Sequence, residues 1–287
     1  MRYTTARYIT STLLLAGLLF MIGCGEKAAD VGKLTAEGRR ALDSGDFNKA
    51  VNIFKKALRE KPSDRDLLYY LGLSFKKLDI YDSAYTYFRR AKILYVHDRE
   101  INREIIEMAP MYEDYEDAIN AIAVMVLTGD NEKMYWPKLA DFHYRNMNMY
   151  MTVKYCKLII ADDPESKDYY LYLSRALSQM GKFEESSNVL FDALERFGPS
   201  SEAYANIAVN YISLNNIPKA EEFFRKSLAI NPKSIPTWIN LANILTEQDD
   251  RAKKEEALGI FKQYYEQTPP AYKLDSIIPA LEAELGE

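Results

Sequence analysis

The chain has 287 residues, with 37 Lys and Arg against 42 Asp and Glu for a net charge of −5, two cysteines, two histidines and 22 tyrosines. That length exceeds one ordinary small domain and suits a stack of short units, while an acidic chain without a basic cluster is a poor match for nucleic acid. No His-Glu-x-x-His, Cys-x-x-Cys, Gly-x-Ser-x-Gly or glycine-rich phosphate loop occurs, so no catalytic residue, metal ligand or cofactor is nominated and the chain is read as a non-enzyme.

At the N-terminus, Arg2 and Arg7 precede an apolar run from Leu13 to Ile22, closed by Gly23-Cys24. A positive start, a short apolar core and a small residue before a cut describe a secretory signal, and the run is too short to span a bilayer core as a stable helix. An ordinary signal with an incidental cysteine is the plain reading. Cys24 directly after Met21-Ile22-Gly23 also resembles the bacterial lipoprotein signal, although Met21 stands where that pattern favours Leu. The resemblance implies a signal peptide over 1–23, diacylation of Cys24, and a mature chain whose charge, without Arg2 and Arg7, is −7. Gly25 in place of Asp points to the outer membrane, with the protein facing the periplasm. The tether over 24–30 would reach roughly 25 Å, and acyl chains would hold the first folded unit near the membrane.

From residue 31 a period of 34 takes over. Bulky residues recur as Phe47, Tyr81, Tyr115, Met149, Phe183 and Ile217. Three positions later come Ala50, Ala84, Ala118, Thr152, Ser186 and Ala220, and four further on Phe54, Phe88, Ile122, Cys156, Leu190 and Phe224. A small column between two bulky ones marks close helix approach, where a larger side chain would clash. In the first half of each unit a second small column reads Gly38, Gly72, Ile106, Ala140, Ser174, Ala208 and Ala242, followed by Ala41, Phe75, Ala109, His143, Leu177, Tyr211 and Leu245. Gly45, Gly181 and Asn215 fall where a first helix gives way to a second, which suits left-handed backbone. Pro62, Pro164 and Pro232 end second helices. A fixed period of this length is the mark of an array of helical hairpins.

These columns resemble the tetratricopeptide repeat (TPR). The fourth unit reads Trp136, Leu139, Ala140, His143, Thr152, Cys156, Ile159, Pro164; the sixth reads Tyr204, Ile207, Ala208, Tyr211, Ala220, Phe224, Ser227, Pro232. The second carries Leu68, Leu71, Gly72, Phe75, Ala84, Phe88 and Ala91. The seventh opens with Trp238, Leu241, Ala242 and Leu245, then regains phase at Ala257 and Phe261 after about three extra residues around Asp249 to Arg251. The resemblance implies an all-α, right-handed α-solenoid of about seven hairpins, with repeats near 31–64, 65–98, 99–132, 133–166, 167–200, 201–234 and 235–270. A capping helix over 271–287, with Glu282, Glu284 and Glu287 outward, would close it. Ile106 and Pro110 depart from the pattern and predict a short or kinked first helix in unit three.

In such a fold the binding surface is the concave face lined by first helices. Carried over by position, it comprises Asp66, Tyr69, Leu73 and Lys76, then Asp141, Tyr144 and Arg145, then Leu171, Arg175, Asn206, Val209, Asn240 and Asn243. Asn206 and Asn240 hold equivalent places and resemble the asparagine ladder that some members use to grip a peptide backbone; a plain surface amide is the other reading. The surplus tyrosines Tyr69, Tyr144, Tyr169 and Tyr172 offer amphipathic contact area. The Lys-Asn-Asn-Lys-Arg clamp that captures chaperone C-termini is not reproduced. Cys156 reads as a buried packing thiol, His143 as a satisfied semi-buried imidazole, and His97 beside Asp98 as a solvated pair.

The expected function is that of a lipid-anchored scaffold binding a protein or extended peptide of an envelope complex. Among repeat lipoproteins it is similar to the pilotin of type IV pilus secretin assembly or the lipoprotein of the outer-membrane assembly machine. The alternative is an adaptor for cell-wall enzymes acting on peptidoglycan or polysaccharide, which exposed tryptophan platforms would favour and which Trp136 and Trp238, at core positions, do not.

Overall fold

The computed structural model describes residues 30–286; the expected signal segment, Cys24 and most of the expected tether lie outside them. Fifteen α-helices and a few 3₁₀ turns make up the described residues, with no strand among them. The chain divides into two compact units, one ending at Met134 and one beginning at Tyr135.

In the first unit α1 (30–43) pairs with α2 (Phe47–Glu60), α3 (Arg65–Lys77) with α4 (Tyr81–Leu94), and α5 (Arg99–Met108) with α6 (Tyr115–Leu127). The second unit contains α7 (Trp136–Arg145) with α8 (Met149–Asp162), α9 (Lys167–Gln179) with α10 (Phe183–Phe197), α11 (Ser201–Ser213) with α12 (Ile217–Ile230), and α13 (Ile235–Thr246) with α14 (Arg251–Tyr264). A last helix, α15 (Leu274–Leu285), packs on α14.

The first six hairpins turn the same way because the same hydrogen bond closes them. The amides of Asp46, Ile80, Asp114, Asn148, Lys182 and Asn216 donate to the carbonyls of Ala41, Phe75, Ala109, His143, Leu177 and Tyr211 at 2.8–3.0 Å. That bond spans a left-handed residue, supplied by Gly45, Asp79, Glu113, Met147, Gly181 and Asn215 in turn. Asp79, Glu113 and Met147 thus hold a backbone conformation that glycine adopts at less cost. Asp46, Asp114, Asn148 and Asn216 then cap the second helix through side-chain oxygens on the third helical amide.

The small columns are contact points. A Cβ placed on Gly38 would meet the Phe54 ring at 2.6 Å, and one on Gly72 would meet the Phe88 ring at 2.7 Å. The B-helix column Ala50, Ala84, Ala118, Thr152, Ser186, Ala220 and Ala257 is wholly buried. Where the A-helix column grows to Ile106, its B-helix counterpart shrinks from Phe to Ile122, and both remain buried. Pro110 leaves α5 at ten residues and continues it as a 3₁₀ turn over Ala109–Tyr112, because a proline nitrogen has no proton for the α-helical bond. Cys156 is fully buried in its column, and burial pushes its thiol up to about 12.

Two sequence expectations change. His143 is 7% exposed and stacked on Tyr155 at 5.7 Å, yet its Nδ1 has no hydrogen-bond partner; the imidazole is buried but not satisfied. Asp98 does not pair with His97: it caps α5 and accepts both arms of the Arg65 guanidinium, at 2.7 and 2.9 Å. In α15, Leu274, Leu281 and Leu285 bury against the preceding helices, while Glu282 and Glu284 turn back to Lys262 and Lys254 at 2.7 and 2.5 Å.

Candidate partner-binding surface

The nominated residues lie on the first helices of their hairpins, and they are treated unit by unit. In the first unit, α3 carries Asp66, Tyr69, Leu73 and Lys76. Lys76 Nζ donates to Glu104 at 2.6 Å and to Glu107 at 2.8 Å, both on α5. Arg65 binds Asp98, Asp66 and Glu100 and lies over the Tyr69 ring at 4.8 Å. Burial, then the carboxylates of Glu100 and Glu104, push the Tyr69 phenol up to about 12, so it stays a neutral donor. Tyr69 is half-buried, with its ring 6.0 Å from Phe88 and 5.5 Å from Tyr70. Lys76 therefore ties neighbouring hairpins together, while Tyr69 packs within its own hairpin. Position alone nominated Lys76, but Glu104 and Glu107, 28 and 31 residues further on, were not identified; a search for opposite charges about one repeat apart would have found them.

In the second unit the surface is more continuous. Tyr144 on α7 lies 5.4 Å from Tyr172 on α9, and Tyr169 lies 6.2 Å from Tyr172. Asp141 accepts two bonds from Arg145 Nε, at 2.9 and 3.0 Å, and one from the Tyr172 hydroxyl at 3.3 Å. Burial and the Asp141 carboxylate raise the Tyr172 phenol above its ordinary pKa. Gln179 donates to the Tyr144 hydroxyl at 3.2 Å. Arg175 pairs with Glu202 on the next first helix. Leu171, by contrast, packs partly buried against the hydrophobic core, so little of it is presented.

Further along, α11 carries Asn206 and Val209, and α13 carries Asn240 and Asn243. Val209 is exposed, and the three asparagines are half-buried. The Asn206 Nδ2 is buried and has no hydrogen-bond acceptor. Behind this face, Asn210 is satisfied: its Nδ2 donates to Ser186 and Ser187 at 2.8 and 3.1 Å, and its Oδ1 accepts from Ser178 at 2.6 Å. A buried amide without a partner costs about 1–3 kcal/mol, so Asn206 stands out from its well-bonded neighbour. Among the described residues no cluster of His, Cys, Asp and Glu could hold a metal ion, and no helix is long and apolar enough to cross a membrane.

The tetratricopeptide repeat family matches residues 35–95 and again 201–234. The structure of Naa15/Naa10 bound to HypK-THB aligns with a TM-score of 0.62 at 16% identity, over 89% of this chain and 39% of that one. YrrB, a TPR protein with an unusual peptide-binding site, aligns at 0.48 with 16% identity over 64% of this chain and 95% of its own. A tetratricopeptide repeat protein from Parabacteroides merdae aligns at 0.47 with 14% identity over 88% and 98%. No curated protein matches the sequence.

Proposed function

We propose that this chain of tetratricopeptide repeats is a protein-docking scaffold that receives an extended segment of a partner along the first helices of its second unit. The observation that carries the reading is Asn206. Its buried Nδ2 lacks an acceptor, and its equivalent one repeat later, Asn240, lies on the same face of the next first helix. A peptide carbonyl would satisfy the orphan amide, and an asparagine can accept a backbone N–H in return. The Tyr144, Tyr172 and Tyr169 rings upstream add apolar contact area, and the Tyr172 and Tyr144 hydroxyls are already oriented by Asp141 and Gln179. The similar fold of Naa15/Naa10 is itself seen bound to HypK-THB, which agrees with a protein partner.

The setting of that scaffold rests on the sequence. Arg2, Arg7, the apolar run and Gly23-Cys24 support export and diacylation at Cys24. The reading is thus a lipoprotein of the outer membrane, facing the periplasm, that helps assemble an envelope complex of the pilus-secretin or outer-membrane machinery type. Whole cells carrying the native chain, Cys24→Ser or Asn206→Leu are cross-linked and the captured proteins identified by mass spectrometry. The reading predicts one envelope complex with the native chain, a scattered set with Cys24→Ser, and loss of the same partner with Asn206→Leu. Identical cytoplasmic proteins from all three would overturn it.

A further inference from the structure

The chain is acidic overall, but its charge is not evenly spread. Residues 30–98 hold fourteen Lys and Arg against ten Asp and Glu, a net of +4; residues 99–287 hold twenty against thirty-one, a net of −11. Such asymmetry points to a surface with its own ligand.

Three of these cations, Arg59, Lys61 and Arg90, lie at one edge of the first unit, with the exposed Glu60 between the first two. The α1–α2 hairpin is antiparallel: the left-handed turn at Gly45 joins its helices, and Gly38 lies against Phe54. The start of α1 is therefore at the same end as the last turn of α2. The following hairpins present the same end there. Arg90 donates to the Pro62 carbonyl, the Tyr95 hydroxyl to the Ser63 carbonyl at 2.5 Å, and Arg99 to the Thr128 carbonyl at 3.0 Å. This edge therefore collects the C-terminal ends of α2, α4 and α6.

Its composition is unusual in two ways. Arg59 and Lys61 are exposed and form no ion pair among the described residues, and Arg90 is exposed beside them. The place held by Arg59 becomes Ile93 in the next repeat and Leu127 in the one after, and these side chains are 75% and 80% exposed. Leu94 is also exposed, at 46%. In the second unit the same column reads Ala161, Glu195 and Ala229, with neither the cations nor the large aliphatics. Exposed aliphatics rimmed by unpaired cations fit one surface chemistry well: a bilayer of anionic lipid, where the cations meet headgroup phosphates and the aliphatics enter the interface.

We propose that this edge of the first unit, bearing Arg59, Lys61, Arg90, Ile93 and Leu127, lies on an anionic membrane surface. The tether argues for the same occupant. It is the lipoprotein reading of Cys24, on which this clause rests, that places the anchor six residues before the start of α1, at the edge just described. Lipid and edge would then face the same bilayer, and the first helices of the first unit would be held at a set angle to it.

The test uses the full chain as processed by cells, bound to vesicles of phosphatidylcholine with or without about one third phosphatidylglycerol, each containing spin-labelled quencher lipid. Ile93→Trp and Leu127→Trp report contact, Ala229→Trp in the second unit is the control, and the native chain gives the baseline from Trp136 and Trp238. Intact mass records whether Cys24 is acylated, and flotation records binding. The expected result is quenching at 93 and 127 but not at 229, only with phosphatidylglycerol, and abolished by Arg59→Glu, Lys61→Glu and Arg90→Glu together. Each cation removed should weaken the contact roughly fivefold, and high salt should do the same. Acylated chain that floats without quenching at 93 and 127 overturns the edge and leaves the anchor standing. Unacylated chain that floats on the anionic vesicles with the same quenching keeps the edge and removes the anchor. Unacylated chain that does not float, or quenching equal on phosphatidylcholine alone, overturns the proposal.

Discussion

Gly72→Ala sets two known effects against each other. Alanine is about 1 kcal/mol better than glycine in a helix interior, so the backbone favours the change. The new Cβ, however, would lie 2.7, 2.9 and 3.0 Å from three atoms of the Phe88 ring. That ring is wholly buried and α3 packs along α4, so it has little room to retreat. Overpacking a core costs about 1–3 kcal/mol, which leaves a net loss of up to about 2 kcal/mol. Phe88→Ile alone should also destabilise, by about 1–3 kcal/mol, through the void it leaves. Together the two changes should partly cancel, because the third repeat already combines a larger A-helix residue, Ile106, with Ile122 in the Phe column. Urea unfolding followed by circular dichroism measures all four corners of the cycle. With a slope of about 2 kcal/mol per molar, Gly72→Ala should lower the midpoint by up to about 1 M, and the coupling should exceed about 0.5 kcal/mol. A midpoint that rises with Gly72→Ala, or a strictly additive double variant, would refute the close approach.

Three further outcomes follow from the same packing. Burial first, then Lys154, hold the His143 imidazole below its ordinary pKa, so the unfolded chain binds the proton more tightly and stability should fall as pH drops below about 6.5; His143→Phe, the residue of the second repeat in that column, should remove this loss, as thermal melts at acid and neutral pH will record. Met147 is exposed and left-handed at φ 57°, so Met147→Gly should stabilise by up to about 1 kcal/mol, whereas Gly181→Ala at the equivalent position should cost about 1 kcal/mol. Lys76→Met should cost about 1 kcal/mol by leaving Glu104 without its cation, and a cycle with Glu104→Gln should show a coupling that shrinks in high salt.

The hairpin stack was legible because its constraints are periodic. A column such as Ala50, Ala84 and Ala118 leaves the same mark every 34 residues, as do the closing bonds on Ala41, Phe75 and Ala109. The shortened α5 was legible from Pro110 for a chemical reason, the missing N–H. Less visible were features that depend on what surrounds a residue. Asp79, Glu113 and Met147 carry no signal of left-handed backbone in their identity; only the register with Gly45 and Gly181 gives it. Position placed Tyr69, Lys76, Asp141, Tyr144, Arg145 and Arg175 on first helices, but not the hydrogen bonds and ion pairs that engage Lys76, Asp141, Tyr144, Arg145 and Arg175. The cationic edge went unnoticed because net charge is a sum over the whole chain, and the acids beyond residue 98 outweigh Arg59, Lys61 and Arg90.

The docking claim is tested most directly by site-specific photo-crosslinking in living cells. A photoreactive residue replaces Val209 or Asn240 on the first helices, or Glu222 on the exposed side of α12. The account predicts adducts from 209 and 240 to one short segment of a single partner, none from 222, and their loss when Asn206→Leu is added. Adducts that arise from 222 alone, or that survive Asn206→Leu unchanged, would contradict it.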